Sequence, residues 1–178
     1  MEYKNRTIGQ YNELLAQKKS VPGGGSALAV TLSLACSLCL MVVRFTLDKK
    51  GYEPLKEKME GFEEELNRFR EEAYAYADED SRAFSALMEA FRTGESKRIE
   101  EASEKASLVP YRLYLLTERV QVIADELFLI GNKNVVSDAK IASDLCYSIY
   151  PGCRLNIEAN KKNIRDAEFL NRLNSILE

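Results

Sequence analysis

Val21 Pro22 Gly23 Gly24 Gly25 Ser26, followed at once by the apolar run Ala27 to Val43, sets the architecture of this chain. Three successive glycines carry no Cβ, so their N–H groups can turn toward a ligand in conformations other residues avoid. Ser26 is placed to cap the helix that follows. Unpaired N–H groups and the positive end of the helix dipole then point the same way, an arrangement suited to an anion or a carbonyl. The run itself is rich in Ala, Ser, Thr and Cys, falls a little short of the roughly 20 residues of a membrane span, and is closed by Arg44. A helix apolar all round but built from small side chains reads as the central element of a helical assembly, where backbones approach closely.

Outward from this stretch, the pattern is helical throughout. Thr7 caps a first amphipathic helix reaching about Gln17, with Ile8, Tyr11, Leu14 and Leu15 on one side. Asp48 to Gly51 forms a basic turn, and Pro54 suits the first turn of a long helix ending near Phe91, before Thr93 and Gly94. Another helix begins near Ser96. Pro110 removes a donor within it and predicts a kink or restart, and Tyr111 to Ile130 then runs to Gly131. Ser137 and Asp138 open a helix to about Ser148, Pro151 and Gly152 interrupt it, and helices at 154–163 and 165–177 finish the chain. No segment alternates long enough for a sheet. The expectation is an all-α, antiparallel helical bundle with a buried central helix, in a single domain covering 1–178.

Composition narrows the function classes. With 25 basic and 28 acidic side chains, a net charge of −3 and no long single-sign run, the chain has no electrostatic footprint for nucleic acid. Cys36 and Cys39 have CxxC spacing but lie inside the apolar run, and Cys146 and Cys153 straddle Pro151 and Gly152 without repeating it. They read as small core hydrophobes, not as metal ligands. Unpaired thiols, and an N-terminus unlike a signal peptide, fit a reducing cytoplasm. There is no histidine. Any acid–base chemistry therefore falls to a carboxylate raised by burial, or to Lys, Tyr or Cys.

Four polar clusters interrupt the helical pattern: the glycine loop; Asp78 Glu79 Asp80 Ser81, where Asp80 and Phe84 share a face; Gly131 Asn132 with Ser137 Asp138; and Asn156 and Asn160, one turn apart, with Asp166 beyond. Singly, each reads as a cap, a solvated face or a helix end. Together, short side chains with two hydrogen-bonding functions suit a ligand rich in amides and ring nitrogens.

The order of these motifs, with Asp78 to Phe84, Val109 Pro110 and Gly131 to Asp138 in sequence, resembles the cyclodeaminase domain of formiminotransferase-cyclodeaminase, whose stand-alone relatives act as methenyltetrahydrofolate cyclohydrolases. The resemblance implies an all-helical homodimer with a folate site near the subunit interface, and no cofactor beyond the folate substrate. It implies either cyclisation of formiminotetrahydrofolate to methenyltetrahydrofolate with loss of ammonia, or hydrolysis of the methenyl compound to formyltetrahydrofolate. No formiminotransferase part accompanies the motifs, which favours the cyclohydrolase. In either reaction one group takes a proton from the attacking atom and another protonates the departing nitrogen. Asp138 is the first expectation for proton transfer, with Lys49 or Asp80 as a second candidate. Gly23, Gly24, Gly25 and Ser26 would hold the pterin or reacting centre, Asn132, Asn156 and Asn160 would supply amide contacts beside Ser137, and Lys49, Lys50, Lys161 and Lys162 would neutralise a glutamate tail. A helical dimer that binds folate or another pterin without turnover is the alternative.

Overall fold

The computed structural model describes residues 2–177. Six α-helices follow in order: α1 (Ile8–Leu15), α2 (Gly24–Leu47), α3 (Lys56–Thr93), α4 (Ser96–Ile130), α5 (Val136–Asn160) and α6 (Ala167–Asn174). Short connections make α2 to α5 an up-and-down bundle in which α2 packs on α3, α3 on α4, α4 on α5, and α5 back on α2. Thr7 caps α1 as the sequence predicts, its side chain accepting from the Gln10 N–H while the Gln10 side chain accepts from the Thr7 N–H. Gly94 ends α3 in the left-handed conformation, at φ 70°.

The structure departs from the sequence reading at several points. α2 begins at Gly24, with Gly23 as its N-cap and no side-chain cap, so two of the three glycines are helical and Ser26 caps nothing. α2 is also one corner of the bundle, not an axis enclosed on every side. Ala29, Leu32, Ala35, Cys36, Cys39 and Val43 are wholly buried, whereas Leu34 and Phe45 are each 51% exposed. At 24 residues α2 is long and apolar enough to cross a membrane, so length does not argue against a span. Packing of its inner face against α3 and α5 accounts for its composition.

Pro110 and Pro151 each lie inside a continuous helix, α4 and α5 respectively, so the helix neither restarts at Pro110 nor is interrupted at Pro151. A proline removes one hydrogen bond and crowds one carbonyl, and a helix buried on both sides of it can absorb that loss. The sequence-predicted helix at 154–163 is therefore the end of α5 plus one tighter turn, Lys161–Asn163. Gly131 follows α4 in extended backbone, and its lack of a side chain answers to space: a Cβ there would sit 2.5 Å from the Leu127 carbonyl oxygen.

Candidate active site

The amino end of α2, the middle of α3 and the carboxyl end of α5 meet at one end of the bundle. They enclose a cavity of about 200 Å³ lined by Gly23, Gly24, Gly25, Asp80, Phe84, Asn156 and Asn160, with Ser20, Val21, Ala106 and Ala159 completing it. Three of the four sequence clusters thus converge. Ser20 and Val21 lie in the irregular segment before α2, Ala106 is a small buried residue of α4 and Ala159 a small exposed one near the end of α5; none of these positions carries a signal in sequence. Phe84 does carry one, since it stands one turn after Asp80.

Asp80 is held from the glycine side. Its Oδ2 accepts the Ser26 backbone N–H at 3.0 Å. One of the first N–H groups of α2, which no helical carbonyl can meet, is thereby satisfied. The carboxyl stands so close that a Cβ on Gly25 would lie 2.0 Å from Oδ1. Burial pushes Asp80 above the usual carboxylate range, and the Ser26 N–H opposes that shift only in part. Burial thus favours the neutral form of a carboxyl that faces a small cavity. The Ser26 side chain does not face a ligand: its hydroxyl is fully buried and hydrogen-bonded to the Tyr11 hydroxyl at 3.0 Å. Tyr11 in turn meets Tyr3 edge-on, at 5.5 Å between ring centres.

Asp78, two residues earlier, points the other way round α3 and accepts the Tyr3 N–H at 3.2 Å. The acidic stretch therefore divides its work: Asp78 anchors the amino-terminal segment, and Asp80 faces the cavity.

The third cluster lies at the opposite end of α2. Asn132 donates its backbone N–H to Thr46 Oγ1 at 3.0 Å and its side-chain Nδ2 to the Phe45 carbonyl at 2.8 Å, while its Oδ1 accepts the Asn134 N–H at 3.1 Å. It thus satisfies the end of α2 and the turn after α4. Ser137 is exposed and Asp138 half-buried in the first turn of α5, and Lys49 and Lys50 are exposed in the turn after α2. Within one protomer these residues stand roughly 35 Å from the glycine loop, the length of α2 at about 1.5 Å per residue. Lys161 pairs with Glu158 at 2.7 Å, Lys162 is exposed, and Asp166 caps α6 by accepting the Phe169 N–H at 3.0 Å.

The four cysteines are free and buried, with the Cys36, Cys146 and Cys153 thiols pushed up to about 12 by burial. Among the described residues no three Cys, Asp or Glu side chains gather to hold a metal ion.

The family model for formiminotransferase-cyclodeaminase matches residues 7–178. The chain belongs to the formiminotransferase-cyclodeaminase family. It is 30% identical over 174 residues to a methenyltetrahydrofolate cyclohydrolase of Methylorubrum extorquens, covering 93% of this chain and 84% of that protein. It is 27% identical to the formimidoyltransferase-cyclodeaminase of Gallus gallus, where 92% of this chain matches but only 32% of that relative is spanned. The crystal structure of a formiminotetrahydrofolate cyclodeaminase from Thermotoga maritima superposes with a TM-score of 0.94 at 30% identity, over 99% of this chain and 88% of that one. The resemblance read from the ordered motifs therefore holds along the family's helical domain.

Proposed function

We propose that this protein is a folate one-carbon enzyme that hydrolyses methenyltetrahydrofolate to formyltetrahydrofolate. The observation that carries the reading is Asp80, a carboxyl raised by burial in a cavity walled by glycine backbone on one side and two asparagine amides on the other. Water adds to the methenyl carbon as one of its protons passes to a carboxylate; the C–N bond to one ring nitrogen then breaks as the adduct's hydroxyl gives up its remaining proton to form the formyl carbonyl, and that nitrogen receives a proton. Asp80 supplies one of these transfers. Phe84 offers a ring face to the pterin, and the Gly24 and Gly25 N–H groups offer donors to a carbonyl oxygen.

Asp138, Lys49 and Ser137 join this site in a homodimer, with Asn132 holding the turn that leads into Ser137 and Asp138. Supporting that assembly, α2 presents an outward stripe of Ala27, Val30, Thr31, Leu34, Leu38, Met41 and Phe45, all partly or largely exposed. The stripe is about 27 Å long by helical rise. Two copies pairing antiparallel along it, about a two-fold axis between Leu34 and Leu38, would bury the stripe in an isologous contact. The same operation would carry the far end of one α2 to the amino end of the other, so the partner subunit's Lys49 and Asp138 approach Asp80. The second proton-transfer group of the mechanism comes from there. Four free, buried thiols fit residence in a reducing compartment.

Cyclisation of formiminotetrahydrofolate is the second reading, supported by the likeness to the Thermotoga cyclodeaminase. It passes through the same tetrahedral carbon between two nitrogens and needs the same two proton transfers. Mixing purified protein with methenyltetrahydrofolate and following its near-ultraviolet absorbance tests the first reaction, and ammonia release from formiminotetrahydrofolate tests the second. A protein that binds folate but turns over neither substrate would be a binding module only.

A further inference from the structure

Pro110 lies in the middle of α4, and the helix continues through it. Having no N–H, it leaves the carbonyl four residues earlier, that of Ala106, without its helical donor. The replacement comes from another helix: Asn160 Nδ2, at the end of α5, donates to the Ala106 carbonyl at 3.0 Å. Both residues line the cavity.

A carboxamide has one donating and one accepting end. With one N–H of its NH2 tied to Ala106, the Asn160 carboxamide is held in one orientation, and its Oδ1, which no protein donor meets among the described residues, stays open to a ligand donor. Asn156, one turn earlier in the same wall, has no such anchor and is free to present either end. The cavity, at about 200 Å³, is smaller than the roughly 300–1,000 Å³ that encloses a whole drug-sized ligand. It suits a bicyclic ring, with the remainder of a folate outside.

We propose that Pro110, by orphaning the Ala106 carbonyl, fixes Asn160 as a hydrogen-bond acceptor in the cavity, and that this acceptor selects the donor edge of the pterin, its exocyclic amino group and adjacent ring N–H. Pro110 is then a positioning residue for specificity that touches no substrate itself. The inference rests on the folate reading and adds to it the polarity of one contact.

The test compares binding of tetrahydrofolate with that of its 2-desamino-2-methyl analogue, by calorimetry, in the wild type, in Asn160→Leu and in Pro110→Ala. Replacing Pro110 by Ala returns the missing N–H to α4, so Asn160 is released to rotate. The wild type should prefer the amino ligand by roughly two- to tenfold, the value of one neutral hydrogen bond. The preference should vanish in Asn160→Leu and shrink in Pro110→Ala, the latter with thermal stability at or above wild type because alanine suits a helix interior. An equal preference in all three proteins would overturn the inference, as would a wild type that binds both ligands equally. A wild type that binds neither would instead sink the folate reading, and this inference with it.

Discussion

Asp80 occupies the space that a side chain on Gly25 would need, with Oδ1 only 2.0 Å from where that Cβ would be. A methyl group there cannot be accommodated by a small shift, because the same carboxyl is tied to the next residue's N–H. Gly25→Ala should therefore swing Asp80 out of the cavity and lower kcat by about 10²-fold or more, the usual scale for losing a general acid or base. Gly24→Ala, whose Cβ meets nothing within 4 Å, should leave the folded protein as stable as wild type. Steady-state kinetics and thermal unfolding of the two variants separate the effects.

Asp80→Asn should abolish turnover and raise thermal stability at neutral pH. Burial raises the carboxyl's folded-state pKa, so ionising it costs stability that the protein retains at acid pH and loses as pH rises through that value. Asparagine keeps an acceptor for the Ser26 N–H and does not ionise. Its stabilising effect should be largest near pH 7 and fade below the unfolded carboxylate range. A melting-temperature difference that stays flat with pH would show that Asp80 carries no such burden.

The Tyr11 hydroxyl is the hydrogen-bond partner of a Ser26 hydroxyl that has no access to solvent. Tyr11→Phe should cost about 1–3 kcal/mol by leaving that hydroxyl unsatisfied. For a chain of this size, each kcal/mol corresponds to about 2–4 °C in Tm. Differential scanning calorimetry reads the change directly, and an unchanged Tm would mean that Ser26 finds another partner.

The outward stripe of α2 predicts a dimer. Leu34→Asp and Phe45→Asp, both at positions that are half exposed in the protomer, should yield folded monomers by sedimentation and circular dichroism. Those monomers should have lost activity with the partner subunit's end of the site. A stable wild-type monomer with full turnover would contradict the shared site.

Much of this was legible in sequence, and the failures have physical causes. The Thr7 cap, the Gly94 stop and the apolar run are local signals, set within one turn of chain, and each appears in the structure. That α4 runs on through Pro110 could not be read locally, because the donor that meets the freed carbonyl is Asn160, 50 residues away in sequence. Asp78 and Asp80 look equivalent as a run of acids, yet two residues on a helix turn the side chain roughly 200°, and only Asp80 reaches the cavity. Helical spacing also fixes which residues share a face but not which helix ends meet. The glycine loop, Asp80 and the asparagines could therefore be grouped by chemistry, whereas the distance of Asp138 from them within one protomer appeared only with the fold.

The near-ultraviolet absorbance of methenyltetrahydrofolate, followed with wild type and Asp80→Asn side by side, tests the central claim most directly. Catalysed decay with the wild type and only the uncatalysed rate with a folded, folate-binding Asp80→Asn protein is the predicted result. Equal catalysed decay with both would contradict Asp80 as a proton-transfer group in this cavity.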